Sequence, residues 1–329
     1  MVTLQDVADQ AGVSKSTASR ALNEDLTLSI TETTKERIIN AANELGYFPK
    51  RSRNQTESRR IAIIHKESHY KNQIDNALYF SIRFGIESMC HNHHINFLYV
   101  LNTAVKTIPS NVDGVIINGN YGKEQFEEIL GALRGVPSVV VGRPNYCPPG
   151  SDWVTIDVHE TVRMGMDHLV ERGHRSFLYV GGRAYEGTPA CYRNISQYLD
   201  YIAADPRLHS VGELEGNFDA ESGYEMISRW LDSGKTLPDA IYVSHDPVAV
   251  GVIRALSERG FSIPNDVAVI GSNGDSICNL TVPTLSTIDV HAENMGQEAV
   301  AMLLDRLSNT KLPPRKITFT TELTVRQST

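Results

Sequence analysis

The run Thr3-Leu-Gln-Asp-Val-Ala-Asp-Gln-Ala-Gly-Val-Ser-Lys-Ser-Thr-Ala-Ser-Arg-Ala-Leu-Asn23 decides how the amino-terminal part of this 329-residue chain is read. Leu4, Val7, Ala8 and Ala11 fall at i, i+3, i+4 and i+7, one face of a helix, and Gly12 is placed to end it. Val13 then enters the core, and Ser14 is a natural N-cap for a second helix over 15–22 that turns Ala18, Ala21 and Leu22 inward. Two helices joined by a turn of about three residues containing glycine predict a helix-turn-helix. A third helix is predicted after Ser29, with Glu32 as its capping-box partner, burying Ile38, Ile39, Ala42 and Leu45 before Gly46 stops it. On the second helix Lys15, Ser16, Ser19 and Arg20 face outward. Arg20 can donate two hydrogen bonds to a guanine edge, Lys15 and Ser16 can reach bases, and Ser14, Thr17, Ser19 and Asn23 are short donors suited to phosphates.

Charge along the chain sets this region apart. The formal net charge of −8 would by itself argue against a polyanionic partner. Residues 1–60, however, hold nine Lys/Arg against eight Asp/Glu, and the acidic excess lies entirely in the remainder. Lys50, Arg51, Arg53, Arg59 and Arg60, opposed only by Glu57, form a basic, apolar-poor stretch that reads as a linker.

The 3–23 run, followed by Glu44-Leu-Gly-Tyr47, closely resembles the DNA-binding headpiece of the LacI/GalR family of transcriptional regulators. The resemblance implies that the second helix enters the major groove, with Lys15, Ser16 and Arg20 reading bases and Tyr47 in the headpiece core. Thr3, Ser14, Thr17, Ser19 and Asn23, with Lys50, Arg51 and Arg53 of the linker, complete the implied DNA-binding set. It also implies a hinge helix whose leucine wedges into the minor groove. Here residues 49–58 contain no Leu and no Ala, and Thr56 falls about where the leucine is expected. Threonine has little apolar volume to unstack a base step, so the basic side chains are expected to hold phosphates instead.

From Arg60 onward, short apolar runs at 61–64, 95–100, 114–117, 139–141, 177–180, 240–243 and 267–270 alternate with helical stretches. Such alternation means parallel sheets built from βαβ units, here roughly five strands in each of two doubly wound lobes. Ligand between such lobes meets the loops at the carboxyl ends of the strands. Val112-Asp-Gly-Val-Ile116, Glu171-Arg-Gly-His174, Tyr179-Val-Gly-Gly182 and Val282-Pro-Thr-Leu-Ser-Thr-Ile288 resemble the same family's effector domain, related to periplasmic sugar-binding proteins. The expected organisation is an all-α helix-turn-helix headpiece over 1–48, a linker over 49–59 and an α/β periplasmic-binding-protein-like domain over 60–329. Its first lobe spans about 60–159 and 291–318, its second about 160–290 and 319–329. In this resemblance Arg193 and Asp246 take ring and hydroxyl oxygens, and Phe218 stacks on a sugar's apolar face. Asn273 lies in the cleft loop, and Tyr79 and Phe80 form an aromatic spot on the first lobe. His245 and Gly274 depart from the residues usual at their positions.

Other chemistry lacks a motif. Cys90, Cys147, Cys191 and Cys278 are scattered with no C-x-x-C spacing, which favours a reducing compartment over a disulfide framework or a thiolate zinc site. His91-Asn-His93-His94 reads as a solvated helix end, not a metal site. The glycine-rich 181–187 stretch fits neither G-x-G-x-x-G nor a P-loop, and no G-x-S-x-G elbow is present. Neither a signal-peptide pattern nor a run of about 18 apolar residues occurs. The sequence is therefore expected to encode a cytoplasmic, non-enzymatic, cofactor-free regulator. It would bind a pseudo-palindromic operator as a homodimer under control of a small sugar, galactose or a galactoside first. The competing reading is a sugar-binding or sugar-processing protein with an unrelated helical appendage.

Overall fold

The computed structural model describes residues 3–22, 30–45, 59–66, 77–109, 111–133, 135–143, 146, 151–183 and 193–329. The chain divides into two compact units, Met1–Ser58 and Arg59–Thr329.

In the first unit, α1 (Leu4–Ala11), α2 (Lys15–Leu22) and α3 (Glu32–Glu44) bury Val7, Ala8, Ala18, Ala21, Ile38 and their neighbours in one small core. Thr3 caps α1 in a reciprocal box, its amide donating to Asp6 at 2.7 Å while its side chain accepts from the Asp6 amide. Gly12, at φ 64°, supplies the left-handed residue that closes the helix. The Ser14 hydroxyl accepts from the Thr17 amide at 3.1 Å and caps α2. The start of α3 differs from expectation. Thr31 caps it, its hydroxyl accepting from the Thr34 amide at 3.3 Å, while Ser29 and Gly46 lie outside the described residues. Its inner face also differs, because Ile38, Ala41, Ala42 and Leu45 share the i, i+3, i+4, i+7 stripe. Ile39 falls about 100° away from that stripe and is exposed.

Among its described residues the second unit holds two six-stranded sheets. Strands β1 (Arg60–His65), β2 (Asn96–Leu101), β3 (Gly114–Asn118), β4 (Ser138–Val141), β5 (Asp152–Ile156) and β11 (Lys316–Phe319) form the first, in the order β11-β5-β4-β3-β1-β2. All its pairings are parallel. Strands β6 (Ser176–Gly182), β7 (His209–Gly216), β8 (Ala240–Val243), β9 (Ala268–Asn273), β10 (Ser286–Asp289) and β12 (Glu322–Thr324) form the second, in the order β12-β10-β9-β8-β6-β7. Here, among the described residues, only β12 runs antiparallel. The sheets exceed the expected five strands because β5, β7 and β10 are short or polar and carry no long apolar run.

Helices cover both faces of each sheet, so side chains alternate between two apolar layers along every central strand. Ile61 and Ile63 pack with α4 (Ala77–Asn92) and α10 (Ala292–Ser308), whereas Ala62 and Ile64 face α5 (Lys123–Leu133). In the second lobe, Phe177 and Tyr179 join α6 (Val158–Glu171) and α7 (Asn194–Ala204). Leu178 and Val180 join α8 (Ala220–Asp232) and α9 (Asp246–Glu258). The chain passes between sheets three times, after β5, β10 and β11. Phe319 still pairs with Ile156 in the first sheet, and Val158 already packs in the second lobe.

Each lobe contains one helix pair in near backbone contact. A Cβ on Gly85 would overlap the Glu293 carbonyl oxygen, and one on Gly296 would overlap that of Ile82, so α4 and α10 cross on glycine. Gly223 and Gly251 do the same for α8 and α9 against Val248 and Ala220. At the far end of α10, Arg59 donates to the Leu304 carbonyl at 3.3 Å and the Ser308 hydroxyl at 3.0 Å. Its cation thereby satisfies groups at the negative pole of the helix. Nearby, Arg306 holds buried Asp152 with two bonds of 2.6 and 2.8 Å.

Candidate functional site

Two surfaces carry chemistry, one in each unit. On the first, α2 exposes Lys15, Ser16 and Arg20, with Thr17 and Ser19 half-buried beside them. The Ser14 hydroxyl lies 2.8 Å from those of Ser16 and Thr17, so the helix start presents a cluster of short hydroxyls next to the Lys15 cation. Thr3 is exposed but its side chain is engaged as the α1 cap. Asn23, Tyr47, Lys50, Arg51, Arg53 and Thr56 lie outside the described residues.

The second surface lies where strand ends of both lobes meet. From the first lobe come His65 and Asn118, the last residues of β1 and β3, and Gly142-Arg143 just past β4. Asn118 is fully buried and donates to the Tyr79 carbonyl at 3.1 Å, which ties the start of α4 to the end of β3. Phe80, the next residue of α4, lines a groove of about 600 Å³ with Asn273, Asp275 and the first turn of α10. From the second lobe come Gly181-Gly182 at the end of β6, Ser244-His245-Asp246 past β8, and Asn273 at the end of β9.

Glycine explains the close packing of this second-lobe wall. A Cβ on Gly182 would overlap the Phe218 ring, and one on Gly181 the Ser244 hydroxyl, so the 181–182 pair makes room for an aromatic wall. Phe218 stands edge-on to His245 at 4.8 Å between centroids, and the His245 ring is held by the Ser244 hydroxyl at 2.7 Å. Arg193 is half-buried at the N-cap position of α7, beside Asn194, whose amide donates to the Ser244 carbonyl at 3.2 Å.

Asp246 is fully buried, and its own chain already occupies its oxygens: Thr287 donates at 2.7 Å and the Asp275 amide at 2.9 Å. Gly271 is required opposite, since a Cβ there would overlap the same carboxylate. Burial raises the Asp246 pKa, and burial plus the Asp246 charge raises that of Asp275 to about 7. Asp246 thus braces the 273–275 loop. Within that loop Asn273 adopts φ 133°, a strained value for a side-chain-bearing residue. Its side-chain oxygen, Oδ1, accepts from Arg143 at 2.9 Å across the two lobes. Arg143, Asn118, His65 and Asp275 were not singled out from the sequence. The one available signal was position, each lying within two residues of a strand's carboxyl end.

Burial, with the Arg83 charge, lowers the His65 pKa to about 4. Because the unfolded imidazole takes up its proton near pH 6.5 and the folded one does not, stability is full above pH 6.5 and falls toward pH 4. The His65→Gln variant is expected to lose roughly 1–2 kcal/mol less than the wild type between pH 7 and 5. Urea midpoints at the two pH values measure this, and equal losses would refute it.

Residues 3–50 match the lacI family of bacterial regulatory proteins, and residues 166–329 match the periplasmic binding protein-like domain. The whole chain is 34% identical to the full length of the HTH-type transcriptional regulator GalR of Streptococcus thermophilus. It is 32% identical to the transcriptional repressor MelR of Bacillus subtilis strain 168, all of this chain covering 97% of that one. Among solved structures, a lac repressor dimer bound to operator and the anti-inducer ONPF superposes with TM-score 0.79 at 24% identity, over 99% of this chain and 98% of that one. A complex of the transcriptional regulator CelR with cellobiose gives 0.69 at 26% identity over both full chains. A helix-turn-helix unit joined to a two-lobed binding domain defines a ligand-responsive transcriptional regulator. The chain belongs to the LacI family of these regulators.

Among the described residues no helix is long and apolar enough to cross a membrane. Among them too, no group of three or more His, Cys, Asp or Glu side chains is arranged to hold a metal, and His91, His93 and His94 are exposed.

Proposed function

We propose that this regulator is a cytoplasmic, non-enzymatic repressor of a sugar-utilisation operon. It binds a pseudo-palindromic operator as a homodimer and is released by a small neutral sugar in the cleft, with galactose or a galactoside first among candidates. The observation that carries the reading is one chain holding both an exposed Lys15-Ser16-Arg20 face on α2 and a polar, aromatic-walled cleft at strand carboxyl ends. Two relatives named transcriptional regulator GalR, at 34% and 31% identity, support the choice of sugar. Exposed Phe84 on α4, 60% accessible, with Phe97 and Leu101 on the edge strand β2, supports self-association through the first lobe.

Mechanistically, the sugar favours one setting of the lobes, and operator affinity changes by its differential affinity for the two settings. Headpiece contacts to phosphates give affinity, while Arg20, Lys15 and Ser16 give selectivity. Gel-shift titration with genomic fragments tests the proposal. Nanomolar, salt-sensitive and sequence-selective binding is expected, and its absence would refute DNA-directed function. Arg20→Ala should lower selectivity about 10- to 100-fold without altering the sugar-induced thermal shift.

A further inference from the structure

The outer edge of the second sheet, formed by β7, borders a groove that is separate from the sugar cleft. β7 ends the strand order on that side, and among the described residues no further strand lies beyond it. In a parallel ladder the main-chain groups of alternate residues turn toward the neighbouring strand, and those of the residues between them turn away. The Arg183 amide donates to the Gly216 carbonyl at 2.7 Å, with Gly216 opposite Gly182, and this sets the alternation. Leu214 and Gly216 therefore face β6, while the N–H and C=O of Glu213 and Glu215 point off the edge of the sheet.

Beside that edge lies a groove of about 560 Å³, lined by Glu213 and Glu215 and, from α8 and the turn after it, by Arg229, Trp230 and Lys235. Its two sides carry opposite charge. Glu213 and Glu215 lie opposite Tyr179 and Gly181 in the register, so their side chains share the α7 side of the sheet. The Ser210 hydroxyl donates to Glu213 at 2.6 Å and orients it. Leu214 between them turns to the α8 side, where the Lys235 ammonium rests 4.3 Å from the centre of the Trp230 ring. Arg229, 75% exposed, pairs with Glu225 one turn back, a solvent-screened contact of little strength.

We infer that β7 accepts an extended peptide as an added strand, and that this peptide alternates basic and acidic side chains. The outward main-chain groups of Glu213 and Glu215 supply the hydrogen bonds of such an addition, and the pockets beside it supply selectivity. Successive side chains of an added strand fall on opposite sides of the sheet. Those on the α7 side meet two carboxylates and are basic, whereas those on the α8 side meet Arg229 and Lys235 and are acidic. A second copy of β7, laid antiparallel about a two-fold axis, would set Glu213 and Glu215 against their own like charges. The edge is guarded further by a bulge, since Ser210 opposes Phe177 and Gly212 opposes Leu178, leaving Val211 unpaired in the ladder. It is thus closed to its own kind and open to a short segment of the complementary pattern.

The test titrates the full-length chain with a fluorescein-labelled peptide of about eight residues alternating lysine and glutamate, a length that spans one strand. Fluorescence polarisation reads binding, and amide hydrogen exchange maps it. Half-saturation below about 1 mM is expected, with slowed exchange at the Glu213 and Glu215 amides. A block isomer with all lysines before all glutamates should bind at least about fivefold more weakly, and a fully N-methylated form should not bind. The double variant Glu213→Lys with Glu215→Lys should weaken binding of the alternating peptide at least about fivefold at an unchanged melting temperature. Lys235→Glu with Arg229→Glu probes the other side of the groove and serves should the first variant not fold. Equal binding of the alternating and block peptides, binding that survives N-methylation, slowed exchange elsewhere, or no binding up to about 1 mM overturns the assignment. Protection of the same amides that grows with protein concentration in the absence of peptide makes a second copy the occupant and overturns it as well. Neither sugar nor operator enters these measurements, so their outcome is independent of the effector.

Discussion

Gly85→Val is expected to cost the second unit at least about 3–4 kcal/mol, and to leave much of the protein unfolded at 37 °C. The reason is geometric. A Cβ at position 85 would lie inside the van der Waals envelope of the Glu293 carbonyl, and backbone is not a neighbour that can rotate away. The α4–α10 pair would have to separate along its length, and with it the apolar layer holding Ile82, Ile86, Met295 and Ala299. Overpacking alone costs roughly 1–3 kcal/mol, and loosening that layer adds cavity terms to it. Gly131 of α5 is the internal control, because a Cβ there meets nothing within 4 Å. Gly131→Ala should therefore stabilise by about 0.5–1 kcal/mol through helix propensity. Urea denaturation of both variants measures the contrast, and a Gly85→Val midpoint within error of the wild type would show that the helices do not cross as described.

Asp152→Ala should be nearly as severe, about 3–5 kcal/mol, because it strands a cation. The Asp152 side chain is fully buried and Arg306 only 15% exposed. The same carboxylate also accepts the Arg315 amide at 2.8 Å, which fixes the start of β11 beside β5. Removing it leaves the Arg306 cation with only the Leu312 and Pro313 carbonyls and no counter-charge, and that amide without its acceptor. The ion pair itself is not what stabilises the lobe, since two charges taken from water regain little net energy. The double variant Asp152→Leu with Arg306→Met is accordingly expected to be more stable than Asp152→Ala. A double-mutant cycle by chemical denaturation reports the difference, and strict additivity of the single losses would contradict this account.

How much of this was legible beforehand depended on periodicity. The headpiece helices stood out because Leu4-Val7-Ala8-Ala11 and Ala18-Ala21-Leu22 keep a clean 3.6-residue rhythm, and the central strands because they are unbroken apolar runs. The edge strand β7, reading His-Ser-Val-Gly-Glu-Leu-Glu-Gly, carries little apolar signal because one of its sides faces no other strand. The run 317–325, continuous in β-branched and apolar residues, forms two strands, β11 and β12, given to different sheets. Pairing partners, not local composition, make that division. The helix α10 is hard to read from sequence although Met295, Ala299 and Met302 sit at i, i+4 and i+7. Its polar first turn and internal Gly296 obscure the pattern, and the glycine makes sense only once α4 lies across it. At the cleft, family resemblance pointed to Phe218, His245 and Asn273. The same resemblance assigned Asp246 a ligand role, and in the fold its carboxylate also holds the 273–275 loop through the Asp275 amide and the Thr287 hydroxyl. Arg143 could not be found by residue type, because its meaning lies in a bond to a residue 130 positions away.

The two bonds from Arg59 to the last turns of α10 give the second unit a lever. At 17 residues, α10 is about 25 Å long. Its first turn lines the groove that contains Asn273 and Asp275, and its last turns hold the residue with which the unit begins. A tilt of about 5° about the Gly296 crossing would displace the Leu304–Ser308 end that holds Arg59 by about 1–1.5 Å, at 1.5 Å of rise per residue. The arm needs no relay of rotamer changes along its course, since a helix is stiff on this scale. Its fulcrum is the glycine crossing with α4, where backbone rests on backbone and no side chain can absorb the movement.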